Sequence, residues 1–318
     1  MKIYKLLIIS LLFSSLAYSD IRREFPSYSY VLTEFDVDEN FIDNPEFKRF
    51  VQVHKREYKK RFIKAVKRGG LIIPTLKEMM YQKDISPLFI YISMVESEFN
   101  PLAKSRTGAG GLWQFTENTA SKEFHLQINS AIDERYDPIR ATDSAIKYLY
   151  KMNRNLGAWY LTTMAYNCGN GCVNRAIQKA GTKSLAVLIS ANNNYIKPET
   201  KKYIQKILLM AMIGENYLFK SNDRIGEMMY RINRDSITPV KVRTGENLFH
   251  VASLLHMDNY YLKKINAHLK NGYAPQDRGY TINIPTSKVR MFYQQYARNI
   301  RPSNSRYTQN SYKPNIRY

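Results

Sequence analysis

Apolar residues recur at helical spacing from about residue 44 to residue 219 of the chain. Between Asn44 and Lys67 they fall near a period of 3.6 residues, and Gly69-Gly70 provides a stop. Ser86-Pro87 supplies an N-cap and a first-turn proline for a later helix. The pattern therefore predicts an all-α domain. Its further helices are expected over 74–83, 86–99, 139–156, 160–167, 173–180 and 199–219.

Two other patterns flank the helical one. Residues 20–44 have the character of an extended lead, with Pro26 and several aromatic residues. Beyond Pro239, alternating stretches at 239–245 and 280–285 enclose two short helical segments. Alternation with a period of two is typical of half-buried strands, so this part predicts a small β-α-α-β unit. The fold class expected for the chain is mainly α with that unit appended.

These changes of pattern divide the chain into six parts. They are a leader (1–19), an amino-terminal helical extension (20–75), a helical domain (76–222), a linker (223–237), the β-α-α-β domain (238–287) and a basic tail (288–318). The tail holds seven Lys or Arg residues and no acidic residue. Such a composition favours a flexible or surface-bound segment.

The leader has the features of a secretory signal peptide. Lys2 and Lys5 precede an apolar run from Leu6 to Leu16, and small residues follow at the usual cleavage spacing. An uncleaved membrane anchor is the alternative, although about 20 apolar residues are needed to span a bilayer. No cysteine lies near the cleavage site, which argues against a lipid anchor. The expected location is the periplasm or another part of the cell envelope.

The charge of the chain narrows the class of partner. Without the leader, 46 basic and 27 acidic residues remain, a net charge of +19. Such a field favours an anionic partner. Nucleic acid is the usual first candidate, but export argues against it. Peptidoglycan, with its peptide carboxylates, fits an exported protein better, and the basic tail would suit contact with an anionic envelope surface.

Cysteine and histidine add little candidate chemistry. Cys168 and Cys172 are the two cysteines, and their spacing leaves open whether they are bridged or free. The five histidines lack a metal-ligand spacing such as H-E-x-x-H, and neither a P-loop nor a dinucleotide fingerprint occurs. We therefore expect no metal and no cofactor.

The most informative stretch runs from Pro87 to Thr119, where Glu96 stands at the end of an apolar segment. Burial disfavours the charged form of a carboxyl group and raises its pKa, which suits a general acid. A salt-bridged or exposed glutamate is the alternative. Glu98 is the rival carboxyl group, but residues two apart do not share a helix face. At most one of the two can therefore enter a cleft.

Three motifs, taken in order, resemble those of one enzyme family. Glu96-Ser97-Glu98-Phe99-Asn100-Pro101 leads to Gly111-Leu112-Trp113-Gln114, then to Ala165-Tyr166-Asn167-Cys168-Gly169 and to Tyr203 on the last core helix. The set resembles lytic transglycosylases of the soluble-lytic-transglycosylase type, relatives of goose-type lysozyme in glycoside hydrolase family 23. The Asn-Cys-Gly form and Asp137-Pro138 are similar to the membrane-bound lytic murein transglycosylase D branch. The resemblance implies a lysozyme-like, all-α catalytic domain.

The resemblance also implies site roles and a reaction. Glu96 would be the catalytic acid, and that family cleaves the bond between N-acetylmuramic acid and N-acetylglucosamine with one glutamate, leaving a 1,6-anhydro end. The substrate-binding residues it implies are Ser105, Gln114, Tyr166, Asn167 and Tyr203. The nearby acids that could supply a second carboxylate are Asp133, Glu134 and Asp137. We expect these three acids to cap helices and brace loops.

The β-α-α-β unit resembles a LysM module, a class that binds N-acetylglucosamine in glycan chains. The similarity rests on 240–248, 262–266 and 280–285, while 268–279 matches loosely. A spacer without a ligand is the alternative. The chain departs from the resembled branch at Thr116-Glu117, where a proline is usual, and in having a single LysM-like unit.

Three alternatives compete with a peptidoglycan lytic transglycosylase. One is a muramidase that hydrolyses the same bond. Another is a non-catalytic peptidoglycan-binding protein, against which the complete set of motif residues argues. The third is a nucleic-acid binder, which charge alone suggests.

Overall fold

The structure is a computed structural model that describes residues 20–218, 226, 236–277 and 279–299. The leader, most of the linker and the end of the tail lie outside these residues. Helices dominate the described parts and a two-stranded antiparallel sheet accompanies them, which confirms the mainly α fold class. Within the same ranges, no helix has the length and hydropathy needed to cross a bilayer.

The amino-terminal extension is helical, so the prediction of an extended lead at 20–44 is wrong. Helices α1 (Ile21–Glu24) and α2 (Tyr28–Glu34) precede a 3-10 turn at Glu39–Asp43, and α3 (Pro45–Gly69) follows. The aromatic residues of the lead are core residues, and Phe25 and Phe35 are fully buried. Their burial explains the helices, because segments this short are stable only through tertiary packing.

Helix α3 begins and ends where the sequence predicts. The Asn44 side chain accepts a hydrogen bond from the Phe47 amide at 3.0 Å, and Pro45 takes the first helical position. The backbone of Gly70, with a φ of 28°, ends the helix. Phe47, Val51, Tyr58 and Phe62 form its buried face.

The helical domain continues with eight further helices, of which the sequence pattern missed α6 and α10. They are α4 (Ile72–Tyr81), α5 (Ile90–Ser97), α6 (Glu117–Phe124), α7 (Pro138–Leu156), α8 (Trp159–Cys168), α9 (Asn170–Ala180), α10 (Leu185–Ile189) and α11 (Pro198–Leu218). A 3-10 turn at Pro87–Phe89 leads into α5, and another at Glu134–Tyr136 precedes α7. Helix α11 packs against α3, α5 and α8 at the centre of the core.

The carboxy-terminal unit has its own hydrophobic core. It runs β1 (Ile237–Val242), α12 (Leu248–Leu254), α13 (Asn259–Ile265) and β2 (Tyr280–Pro285), which confirms the predicted β-α-α-β order. The strands pair antiparallel, with Val242 opposite Tyr280. Ile132, from the loop before α7, belongs to this second core.

The prediction of a flexible tail is wrong for residues 289–299. They form α14 (Val289–Asn299), which follows a 3-10 turn at Thr286–Lys288. Phe292 is fully buried in the core of the carboxy-terminal unit, and Tyr296 donates a hydrogen bond to Glu246 at 2.7 Å. Residues 300–318 lie outside the described residues.

Candidate active site

Helix α5 carries Glu96 from the core to the edge of the helical domain. The helix is buried at every position from Ile90 to Met94. It ends directly after Glu96 and Ser97, because Glu98 and Phe99 adopt left-handed backbone angles with φ of 51° and 54°. The last helical turn therefore presents one carboxyl group where the chain leaves the core.

The Glu96 carboxyl group is poised to exchange a proton near neutral pH. Burial disfavours its charge and raises its pKa to about 7, although Glu96 as a residue is only half-buried. The Tyr203 hydroxyl donates to its Oε1 at 2.6 Å, and this bond together with the positive charge of Lys206 pulls the pKa partly back. The negative charge of Glu199 acts in the opposite direction.

Glu98 has a different environment two residues later. Its Oε1 accepts a hydrogen bond from Arg61 Nε at 2.8 Å, and its Oε2 lies 3.3 Å from Arg68 Nη1. Both arginines belong to α3. Glu98 is therefore an ion-paired link between the end of α5 and α3, whereas Glu96 has no ion-pair partner among the described residues.

A glycine-rich turn over residues 103–115, called the site turn below, is bonded to α5 beside Glu96. The Leu112 carbonyl accepts hydrogen bonds from Ser93 at 3.0 Å and from Ser97 at 2.9 Å. Gly111 has a φ of 76°, and a Cβ atom there would lie 1.9 Å from the carbonyl oxygen of Arg135. Only glycine fits at this position, for both conformation and space.

Gln114 and Ser105 shape the site turn. The Gln114 amide nitrogen donates to the carbonyls of Gly111, at 2.8 Å, and Ala103, at 3.2 Å. No described residue donates to its side-chain oxygen, so a substrate N–H could use that acceptor. Ser105 Oγ accepts a hydrogen bond from the Ala109 amide at 2.9 Å and closes the turn.

Tyr166 and Asn167 come from the end of α8. The Tyr166 hydroxyl donates to the Trp113 carbonyl at 2.8 Å, and burial and the charge of Glu96 raise the pKa of its phenol well above the usual value. Asn167 accepts a hydrogen bond from Thr200 of α11 at 2.6 Å. Tyr166 thus holds the site turn, while the hydroxyl that contacts Glu96 belongs to Tyr203.

The two cysteines are bridged, which their spacing in the sequence leaves open. Cys168 and Cys172 form a disulfide with their Cα atoms 5.8 Å apart. The bridge joins the end of α8 to the first turn of α9, directly after Asn167.

The acids of the loop before α7 cap and brace, as expected. Asp137 accepts from the amides of Ile139 at 2.9 Å and Arg140 at 3.3 Å and so caps α7. Asp133 binds the Arg135 side chain through two hydrogen bonds of 2.9 and 2.7 Å. Glu134 accepts from the Gln127 amide at 2.8 Å. All three are buried.

Several residues of the site were missed in the sequence. Lys206 follows Tyr203 by three positions on α11, and residues three apart share a helix face. Ser93 precedes Ser97 by four positions on α5 for the same reason. The spacing of Lys206 and Ser93 from motif residues on the same helix could have predicted both. The contact between Thr200 and Asn167 joins distant parts of the chain, and no local pattern marks it.

Together these features define a candidate acid–base site. One carboxyl group able to hold a proton stands at the end of a buried helix, a tyrosine from a second helix orients it, and a glycine-rich turn lies beside it. Residues 75–189 match the family described as the Transglycosylase SLT domain. The match includes Glu96, the site turn, Tyr166 and Asn167, whereas Tyr203 lies beyond it.

Individual relatives cover part of the chain. It is 29% identical over 185 residues to membrane-bound lytic murein transglycosylase D of Escherichia coli (strain K12), covering 57% of this chain and 39% of the relative. It is 30% identical over 135 residues to membrane-bound lytic murein transglycosylase C of Yersinia pestis (strain Pestoides F), covering 38% of each. The chain thus spans about two fifths of the length of these relatives.

Among solved structures, the chain is similar to the 70 kDa soluble lytic transglycosylase of Escherichia coli. The identity is 23%, the TM-score is 0.39, and the match covers 49% of this chain and 25% of that one.

Proposed function

We propose that the protein is a peptidoglycan lytic transglycosylase with Glu96 as its single acid and base. The observation that carries this proposal is the Glu96 carboxyl group, with a pKa of about 7 and a tyrosine hydroxyl 2.6 Å from its Oε1. A group with such a pKa can donate and accept a proton in one cycle at neutral pH. The family match over residues 75–189 supports the same reaction class.

The proposed reaction consumes no water. Glu96 protonates the oxygen that links N-acetylmuramic acid to N-acetylglucosamine, and the bond from this oxygen to C1 of the muramoyl sugar breaks. The substrate's own 2-acetamido group stabilises C1. Glu96, now ionised, takes the proton of the muramoyl C6 hydroxyl, whose oxygen bonds to C1 and gives a 1,6-anhydro end. The accessible oxygen of Gln114 would accept a substrate N–H, and Tyr203 would keep Glu96 oriented.

Digestion of purified sacculi tests this function. The wild-type protein should release fragments with 1,6-anhydromuramoyl ends, which weigh one water less than hydrolysed fragments. Mass analysis reads this difference directly. Glu96→Gln should release neither kind of fragment.

Hydrolysis of the same bond is the second candidate. It is favoured by the negative charge of Glu199, which acts on Glu96 and could serve a two-carboxylate mechanism. Reducing muramic acid ends in the wild-type digest, lost in Glu199→Gln, would establish hydrolysis. Unchanged anhydro products from Glu199→Gln would exclude this role for Glu199.

The carboxy-terminal unit would bind N-acetylglucosamine in the same polymer as a LysM-like module. This would raise the local concentration of glycan at the helical domain. The relatives named above are called membrane-bound, and an exported protein of the cell envelope or periplasm fits a peptidoglycan substrate. Retention of the Glu96→Gln chain on insoluble peptidoglycan tests the binding without digestion.

A further inference from the structure

The loop before α7 touches the carboxy-terminal unit on one side and the site turn on the other. On the first side, Tyr280 donates to Glu134 at 2.7 Å and Asn283 donates to Asp137 at 3.2 Å. The Asp133 amide donates to the His268 carbonyl at 2.9 Å. These polar contacts are buried, since Tyr280, Asn283, His268 and the three acids are all less than 9% exposed.

Apolar packing reinforces the same junction. Ile132 pairs with Leu269 in an isolated antiparallel bridge, and both side chains are buried in the core of the carboxy-terminal unit. The Arg140 guanidinium lies over the Tyr280 ring at 5.2 Å and donates to Thr281 at 3.0 Å. The carboxy-terminal unit is thus docked on the helical domain by side chains from both.

On the other side of the loop, Arg135 bonds to the site turn. Its Nη1 donates to the Gly108 carbonyl at 2.8 Å and to the Phe115 carbonyl at 3.3 Å, near both ends of the glycine stretch. Asp133 fixes the guanidinium in this orientation. The Arg135 carbonyl also lies against Gly111, where no side chain fits.

We infer that the carboxy-terminal unit supports the active site and that Arg135 is the positioning residue that conveys this support to the site turn. Contacts run from Tyr280 to Glu134, along the loop to Arg135, and from there to the turn whose Leu112 carbonyl is bonded to α5 beside Glu96. The inference rests on the proposed function where it calls the turn part of an active site. The docking itself does not depend on that function.

Hydrogen exchange tests the coupling without substrate. Tyr280→Phe removes one hydrogen bond to a buried acid, so protection of the amides of Ser105, Gly110 and Gly111 should fall about tenfold. Tyr260→Phe is the matched control, because Tyr260 lies in the same unit and is 72% exposed. Faster exchange in the turn for Tyr280→Phe alone supports the coupling. Exchange that changes only within 266–285 would overturn it.

Steady-state kinetics on a soluble glycan test the role of Arg135. Arg135→Gln should lower kcat by about 100-fold, the effect of misplacing a site by about 1 Å, with little change in KM. Arg135→Lys, which keeps the charge but not the fork, should recover part of kcat. An unchanged kcat, or a loss confined to KM, would refute the positioning role. If the wild-type protein cleaves no glycan, the exchange experiment still decides the coupling and the proposed function fails separately.

A separate observation concerns α3, which lies outside the family match. Its solvent face carries a line of exposed cations with spacings of three, four and seven residues: Arg49, Arg56, Lys60, Lys64 and Lys67. Within the described residues, none of the five has an ion-pair partner. Val53, 65% exposed, lies on the same face. The cations extend over about 27 Å of helix.

We propose that this cationic face of α3 binds an anionic phospholipid surface. The five cations are spread along the outer surface of one helix, so a small anion could touch only one or two of them. A partner that meets all of them must be extended and negatively charged, as a bilayer surface is. The opposite face of α3 is buried against α11, which holds the line of cations straight.

Vesicle sedimentation with residues 20–318 tests this surface. Binding to phosphatidylcholine vesicles that contain phosphatidylglycerol should weaken about fivefold for each charge removed in Arg56→Gln/Lys60→Gln/Lys64→Gln, and should fall with added salt. The control Lys122→Gln/Arg154→Gln/Lys179→Gln removes the same charge from exposed positions on α6, α7 and α9. Equal losses in both triple variants, or a loss of binding to sacculi but not to vesicles, would overturn the proposal.

Discussion

Glu96 and Glu246 are two glutamates in different regions of the molecule, and their proton affinities are shifted in opposite directions. Burial raises the pKa of Glu96 to about 7. Burial also acts to raise the pKa of Glu246, which is 4% exposed, yet the hydrogen bonds from His250 and Tyr296 and the charge of Arg243 outweigh it and lower that pKa. Each acid accepts one tyrosine hydroxyl, at 2.6 and 2.7 Å.

The difference shows that contacts with cationic or proton-donating groups, and not burial alone, decide whether the pKa of a buried acid is raised or lowered. Glu246 has Arg243 Nε at 2.8 Å and His250 Nδ1 at 2.7 Å, so its stable state is an ion-paired structural one. Glu96 has no ion-pair partner among the described residues. The two arginines nearby, Arg61 and Arg68, bind Glu98 instead. Glu96 can therefore keep its raised pKa because the neighbouring arginines pair with Glu98.

The largest expected effect is the loss of glycan cleavage in Glu96→Gln. Removing the proposed general acid should reduce turnover at least 1,000-fold, at the upper part of the usual range for such groups. Glu98→Gln is the matched control two residues away, and it should keep activity within about threefold. Turnover is measured as anhydro ends released from sacculi. Comparable losses in both variants would assign the chemistry to neither carboxyl group in particular.

The second effect is on the pH dependence of stability. Because the pKa of Glu96 is raised from 4.5 to about 7, the folded state holds this proton more tightly than the unfolded state. Its stabilisation is complete below pH 4.5 and is lost as the pH rises to 7, by about 3 kcal/mol. Urea unfolding across this window should show the decline in the wild type and not in Glu96→Gln. An equal decline in both proteins would contradict the raised pKa.

Part of the fold and of the candidate site could be predicted from the sequence. The helix containing Glu96, its motif neighbours and the caps of α3 follow from local spacing, and spacing also excludes Glu98 from the same cleft. The bonds from Ser93 and Ser97 to Leu112, and from Arg135 to Gly108, join residues that only the fold brings together. The role of Glu246 was not predicted, because its partner Tyr296 lies in the basic tail. The basic composition of that segment suggested flexibility, although Phe292 and Tyr296 are four positions apart and share one helix face.

The third effect concerns the other acid. Glu246→Gln should destabilise the carboxy-terminal unit by about 2 kcal/mol, because it weakens three hydrogen bonds to a buried group. The lowered pKa of Glu246 means that its stabilisation is present above pH 4.5 and is lost as the pH falls through the lower folded value. The variant should therefore lack this loss in acid. Exchange protection of the amides in β1 and α12 measures the change. A loss of protection as the pH rises towards neutral would contradict the lowered pKa of Glu246.

A smaller effect is expected from Tyr203→Phe, which removes the hydroxyl bonded to Glu96. The turnover should fall about tenfold through lost orientation of the acid. Because this hydrogen bond lowers the pKa of Glu96, its removal should move the alkaline limb of the rate profile to higher pH. Tyr195→Phe, a half-buried tyrosine near the start of α11, is the control. A limb that moves to lower pH would show that the hydroxyl favours the protonated acid instead.

The smallest effect separates the partners of Glu246. Arg243 is 55% exposed, so its ion pair is screened by solvent, and Arg243→Gln should cost less than about 1 kcal/mol of stability. His250 and Tyr296 still bind the carboxylate in this variant, so the pKa of Glu246 should stay below its ordinary value. Glycan cleavage should be unaffected, because the hydrogen bonds and the ion pair of Arg243 lie within the carboxy-terminal unit. Urea unfolding in mild acid measures the difference. A loss as large as that of Glu246→Gln would mean that one exposed cation, and not the group of three contacts, keeps Glu246 ionised.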